Sequence, residues 1–300
     1  MKQFIRHILL FVVLGLIVGE LIARVFVLNS EVPQREIDDF GIQRYKPLQN
    51  GDYKGRTHSW TINKLGWPGE LPNSYDNLIT VIGDSFIENF MNPSECHQSS
   101  YLKELNKEYN YIEAARSGVS LIEAMEITKQ FDSLNPKLHL IYINDSDLEE
   151  SIVQLARHND ITQLDLDKNS IVYGKMKSPG SKKILYNWKF IYYLYRRFPV
   201  SFNTNEISPE EKIDVNSKSI YFRKLLNFIK DNYEINDKIF VFRPDTNPET
   251  IELTRNMGFE VVDLKVESDK SWSFEYDHHW TCYGHREAAK QVNTVIAERK

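Results

Sequence analysis

Short apolar runs alternate with amphipathic stretches along most of the chain. "NLITVIG", ending at Gly83, is a β-rich run, and the nearby "SSYLKELNKEYN" has helical spacing. "YIEAA" and "LHLIYIN" repeat the strand signal, with "LIEAMEITKQFD" between them as a helix. Further on, "KIFVFRP", "PETIELTRNMG" and "FEVVDLK" give strand, helix and strand, and "YGHREAAKQVNTVIAERK" closes the chain as a helix. Strands separated by helices predict an α/β fold with a mostly parallel central sheet covered on both faces.

The first run departs from this pattern. After Lys2, Arg6 and His7 comes "ILLFVVLGLIVGELIARVFVL", Ile8 to Leu28, interrupted only by Glu20 and Arg24. It is long enough to cross a bilayer with those charges near its outer end. Their spacing of four allows them to pair on a helix. No small-x-small cleavage site follows, so residues 1–29 are read as a retained N-terminal membrane anchor rather than a cleaved signal. The basic start then places the rest of the chain outside the cytoplasm, in a periplasmic or extracellular space.

Residues 30–76 have few apolar runs and many turn residues, Gly66, Pro68, Gly69, Pro72 and Asn73 among them, and read as a linker or collar. The folded domain is expected over residues 77–300, with an unassigned aromatic-rich insertion at about 152–216. Within that insertion, "ILYNWKFIYYLYRRF" (Ile184 to Phe198) is expected as a helix packed on the sheet. A lid, a sugar-stacking wall or a membrane contact are its functional alternatives. The 300 residues carry a formal charge of -5 without a long basic block, which argues against nucleic acid as a partner. The two cysteines, Cys96 and Cys282, permit one disulfide in an oxidising space.

In parallel sheets, sites form where strands end at the carboxyl edge. The first such end carries "GDS", Gly83 to Ser85, where a serine can attack a carbonyl while its own N–H holds the developing oxyanion. The second carries "RSGVS", in which Gly118 brings a backbone N–H close to a ligand. The third carries "YIND", in which Asn144 offers a side-chain amide. Asn144 and Asp145 also suit a helix cap, with Asp145 expected to cap while Asn144 faces the site. A serine nucleophile needs a base and an orienting acid, and "YDHHWTCYGH" supplies Asp277 with His279, or with His278 as second choice. Taken singly, "GDS" reads first as a polar turn after a strand, and the "ND" and "DHH" at matching places reverse that. A metal site from Asp277, His279, Cys282 and His285 has suitable atom types but no second ligand cluster, so neither metal nor cofactor is expected.

In combination, "GDS", a loop glycine, "ND" and an Asp/His pair before the last helix resemble the SGNH hydrolases, the GDSL esterase and lipase superfamily. The resemblance spans roughly Asn77 to Lys300. The anchor, the "LGWPGE" collar and the "DHHW" ending look most like membrane-anchored bacterial members related to polysaccharide O-acetylation proteins. This chain departs from the commonest family ending by having one residue, not two, between aspartate and histidine, and it lacks an asparagine before Gly118. The resemblance implies a three-layer α/β/α sandwich with Ser85 as nucleophile, His279 as base, Asp277 as its partner, and Ser85, Gly118 and Asn144 as the oxyanion hole. It also brings Cys96 and Cys282 near the site, where a disulfide would tie two loops together. The expected activity is that of an extracytoplasmic carbohydrate esterase or O-acyltransferase, acetyl being the favoured group, acting on a cell-envelope glycan or a small ester. If transfer is the reaction, a membrane acyl-donor protein is an implied partner. A lipase or thioesterase of the same fold, and a non-catalytic envelope protein binding a glycan or a partner, are the alternatives.

Overall fold

The computed structural model describes residues 1–198 and 215–299, so residues 199–214 of the insertion lie outside the described residues. The chain begins with α1 (Lys2–Val25) and two short hairpins, β1 (Arg35–Ile37) with β2 (Gln43–Tyr45) and β3 (Asn50–Asp52) with β4 (Ser59–Thr61). The alternating region follows as β5 (Leu78–Gly83), α2 (Ser85–Glu88), α3 (Gln98–Leu105), β6 (Asn110–Ala115), α4 (Leu121–Phe131), β7 (Leu138–Ile143) and α5 (Asp145–Glu150). A third hairpin, β8 (Gln163–Asp165) with β9 (Ser170–Val172), precedes α6 (Pro179–Asn187) and α7 (Lys189–Arg197). Then come α8 (Val215–Asn232), β10 (Lys238–Phe242), α9 (Pro248–Asn256), β11 (Glu260–Asp263), the hairpin β12 (Ser273–Phe274) and β13 (Asp277–Trp280), and α10 (Cys282–Glu298).

Five strands form the central sheet in the order β11-β10-β7-β5-β6, and every pair in it is parallel. Alternate side chains of each strand enter opposite layers. Leu78 and Ile82 of β5, Ile141 of β7 and Phe240 of β10 meet side chains of α4 and α8, such as Met125 and Leu225. Ile79 and Val81, Leu140 and Val241 face the other way, toward Leu102 of α3 and Ala289 and Val292 of α10. Both faces are therefore dry, which explains why these strands read as continuous apolar runs rather than alternating ones. The result is an α/β/α sandwich preceded by one apolar helix.

The segment before Asn77 is more than a spacer. Ile42 and Trp67 are buried in the main core, while Tyr45, Trp60 and Ile62 form a smaller cluster with Phe90. Core residues thus begin well before the expected start at Asn77. The strands here are only three residues long, too short for a periodic signal.

The aromatic stretch also differs from expectation. It is two helices, and α7 packs along α1 rather than on the sheet. Gly19 makes this approach feasible, because a Cβ there would meet the Phe190 ring at 2.6 Å. Glu20 accepts hydrogen bonds from the backbone N–H of Lys189 (3.2 Å) and Phe190 (2.8 Å), the open first turn of α7. Arg24 pairs with Glu20 and donates to the Asn187 carbonyl at 2.7 Å, near the end of α6. The two charges in the apolar run therefore satisfy a break between two helices as well as each other. At 24 residues, or about 36 Å, α1 is long and apolar enough to cross a membrane.

Candidate active site

β5 lies between β6 and β7, with Gly83 level with Ala115 and Ile82 level with Ile141. Because the strands are parallel, the segments at Asp84, Arg116, Asn144 and Arg243 all leave the sheet at one edge. Gly83 lets the chain turn there, since a Cβ would meet Ile87 Cγ1 at 2.6 Å. Asp84 then caps the single turn of α2 by accepting the Phe86 N–H at 2.9 Å. This fixes Ser85 as the first residue of that turn.

His279 Nε2 lies 2.8 Å from Ser85 Oγ. Its Nδ1 is hydrogen-bonded to Asp277 Oδ1, which also accepts the His279 backbone N–H at 2.9 Å. The three side chains form a hydrogen-bonded Ser–His–Asp relay. An ionised carboxylate only accepts, so the imidazole proton sits on Nδ1 and leaves Nε2 to accept from the serine. Burial alone would raise the Asp277 carboxyl, but the bonds from His279 and the nearby histidine charges outweigh it and hold the group below its ordinary value. The Phe86 ring, 4.7 Å from the His279 ring centre, backs the imidazole.

The one-residue spacing of Asp277 and His279 has a local cause. They lie on β13, and residues two apart on a strand share a face. His278 points away. Its side chain is exposed and its ring makes no hydrogen bond among the described residues.

The oxyanion candidates flank Ser85 on the two neighbouring loops. Gly118 has φ +80°, a left-handed conformation that favours glycine. Its loop is held from two sides: Glu88 accepts the Ser117 N–H at 2.8 Å, and the buried Arg116 donates to the Gln43 and Ser117 carbonyls at 3.0 and 2.7 Å and pairs with Glu123. Asn144, not Asp145, caps α5. Its Oδ1 accepts from Ser146 N, Ser146 Oγ and Asp147 N, which leaves Nδ2 as its free donor. Asp145 instead accepts from Asn247 N and Thr250 Oγ1 at 2.7 and 2.6 Å, tying α5 to α9.

Glu88 and Arg243 also stand at this edge and were not singled out from sequence. Glu88, one turn after Ser85, also accepts the Tyr45 hydroxyl, and its burial pushes its carboxyl upward. Arg243 follows β10, so the same strand-end rule that marks Ser85 marks it too. It forks onto Asp245 at 3.0 and 2.8 Å, reaches Asp84 at 3.7 Å and lies 3.7 Å over the Phe86 ring. Burial raises Asp84 in spite of that arginine, and it raises Asp147 further, with the Asp84 charge adding to the push.

Cys96 and Cys282 are joined in a disulfide across 186 residues of sequence. His285 is buried in α10, where Gln98 Nε2 donates to its Nδ1 at 3.1 Å and to its carbonyl at 2.8 Å. The histidine and cysteine atoms weighed for a metal are thus engaged elsewhere. Among the described residues, no three or more His, Cys, Asp or Glu side chains are grouped to hold a metal ion.

No protein-family model and no curated protein matches the chain. Among solved structures, it is similar to TesA, at 9% identity and a TM-score of 0.39, over 74% of this chain and 98% of that one. A family two carbohydrate esterase from Clostridium thermocellum, in complex with cellohexaose, aligns at 12% identity and 0.40, over 83% of this chain and 73% of its own. A member of the lipolytic G-D-S-L family from Veillonella parvula aligns at 11% and 0.36, over 73% and 98%. What the site can do follows from its own atoms.

Proposed function

We propose that this protein is an extracytoplasmic serine esterase or O-acyltransferase acting on an acylated carbohydrate, with acetyl as the favoured group. The observation that carries this reading is the Ser85–His279–Asp277 relay at the carboxyl edge of a parallel sheet. The membrane-anchored polysaccharide-modifying type is supported by the sequence ending and by the apolar helix α1.

In this mechanism His279 Nε2 takes the Ser85 proton as Oγ attacks the ester carbonyl. Asp277 holds the ring and stabilises the imidazolium that forms. The oxyanion is held by the Ser85 and Gly118 N–H groups and by Asn144 Nδ2. His279 then gives its proton to the departing alcohol oxygen, leaving an acyl-serine. Water or a sugar hydroxyl, deprotonated by the same histidine, releases the acyl group and restores Ser85. Hydrolysis and transfer use the same residues and differ only in the acceptor.

The test is acetyl release from p-nitrophenyl acetate by the full chain in detergent micelles, beside Ser85→Ala and His279→Ala. Turnover in the parent that both variants lose supports the reading. Turnover that survives Ser85→Ala overturns it. Faster turnover of p-nitrophenyl esters with long chains than of the acetate moves the function to a lipase-like enzyme.

A further inference from the structure

A cavity of about 520 Å³ opens between the end of α1 and the catalytic hairpin. Tyr53, Tyr193 and Tyr276 line it together with Lys54, Arg196 and Arg197. Tyr276 immediately precedes the triad aspartate, and the charges of both Asp277 and Arg196 reach the Tyr53 hydroxyl. On α7, Tyr193 is three residues before Arg196 and four before Arg197, so the ring and both guanidinium groups project over adjoining turns. Tyr276 thus connects the cavity to the strand that carries Asp277 and His279.

Among the described residues, the charged side chains lining this cavity are all basic. No Asp or Glu of the described residues lines it, although the chain as a whole carries a net charge of -5. Arg196 and Arg197 make no ion pair among the described residues, whereas nearby cations do: Lys189 pairs with Glu31 at 2.8 Å and Arg24 with Glu20. Two guanidinium groups lining one cavity, with no carboxylate partner among the described residues, favour an incoming anion, since each offers a planar fork of donors to carboxylate or phosphate. The three tyrosines add flat apolar faces with polar edges, the surfaces on which sugar rings stack. A lone phosphate would fill little of the volume.

From this we infer that the cavity is the carbohydrate subsite of the enzyme and that it takes an anionic glycan, one bearing carboxylate or phosphate groups. This rests on the esterase reading for its link to catalysis: a chain lying over Tyr276 presents its ester to Ser85. The anionic selectivity rests on the cavity alone.

The test is calorimetric titration of the full chain in detergent micelles, carrying Ser85→Ala so that nothing is turned over. Hexagalacturonate is the anionic probe and maltohexaose the neutral one. The expected result is hexagalacturonate binding at least tenfold more tightly than maltohexaose, with an affinity that falls as salt rises. Arg196→Gln with Arg197→Gln should remove that difference, and Tyr276→Ala should weaken both sugars. Lys54→Gln serves as the second charge variant if the arginine pair disturbs folding, which circular dichroism reports. Equal binding of the two sugars, or an anionic preference untouched by the charge variants, overturns the inference. So does a result in which the arginines govern binding to phosphatidylglycerol vesicles and not to hexagalacturonate, which would assign them to lipid headgroups. Intact sugar binding in a protein without esterase activity would reject the catalytic reading and leave the subsite standing.

Discussion

Asp277 and His279 lie on the same face of a short strand, two positions apart, so a single carboxylate accepts both the backbone N–H and the ring N–H of the same histidine. The relay is thereby fixed by strand geometry rather than by a flexible loop. Asp277→Asn should leave the fold intact and lower kcat roughly 10,000-fold, because an amide can stabilise the wrong tautomer and cannot balance an imidazolium. Steady-state kinetics with p-nitrophenyl acetate measure this, and a loss of tenfold or less would remove Asp277 from the mechanism.

The neighbouring histidine should be dispensable. His278 presents an exposed ring on the opposite face. His278→Ala is expected to keep kcat/KM within about twofold of the parent, in line with the usual size of surface substitutions. A collapse of turnover in this variant alone would transfer the base role to it.

Glu88 is expected to act as a positioning residue. Its carboxyl joins the Tyr45 hydroxyl to the Ser117 N–H and so holds the loop that presents Gly118. Losing such a bond costs about 1.5–3 kcal/mol, which corresponds to roughly ten- to hundredfold in kcat if the oxyanion donor drifts. Glu88→Ala should lower kcat by that amount with little change in KM, and Glu88→Gln should recover most of it. A fall in thermal stability with kcat unchanged would make Glu88 merely structural.

The disulfide joins the segment after the nucleophile to the start of α10, just beyond the base. Its loss should cost up to about 5 kcal/mol, because closing so long a loop restricts the unfolded chain. Urea unfolding of the Cys96→Ala, Cys282→Ala double variant reads this directly. Alkylation of the unreduced, unfolded parent should label neither cysteine.

Stability should fall in acid for a reason located at His285. Burial lowers this imidazole from its ordinary 6.5 to about 3, so the folded protein keeps it neutral. The unfolded chain binds its proton first, and stability present above about pH 6.5 is lost as the pH falls toward about 3. One such group contributes at most about 1.4 kcal/mol per pH unit in that window. Urea midpoints between pH 7 and pH 4 should drop less steeply in His285→Gln than in the parent. Equal slopes in the two would place the acid sensitivity elsewhere.

The sheet was legible because β5, β7 and β10 are continuous apolar runs ending in polar residues, a pattern that buried parallel strands impose. Ser85, Gly118 and Asn144 were legible as strand-end residues for the same reason. The pairing of Cys96 with Cys282 followed from the resemblance, not from spacing. What escaped sequence reading depends on contacts between distant segments. Ile42 and Trp67 enter the main core from three-residue strands and turns with no periodicity. The aromatic face of α7 suits a sheet as well as it suits α1, and its neighbour is revealed by the bonds that its first turn donates to Glu20 and by the Phe190 ring against Gly19. Asn144 and Asp145 are both good caps by type, and geometry alone assigns the cap to the first.

The Glu20 carboxylate has a bearing on how the chain can be processed. A peptidase cutting near Leu28 would strip two backbone amides of α7 of their acceptor and lay bare the Phe190 ring now seated against Gly19. The helix that would tether the protein is thus also a brace for the wall bearing Tyr193, Arg196 and Arg197. Shedding it would loosen the side of the cavity that carries Tyr193, Arg196 and Arg197.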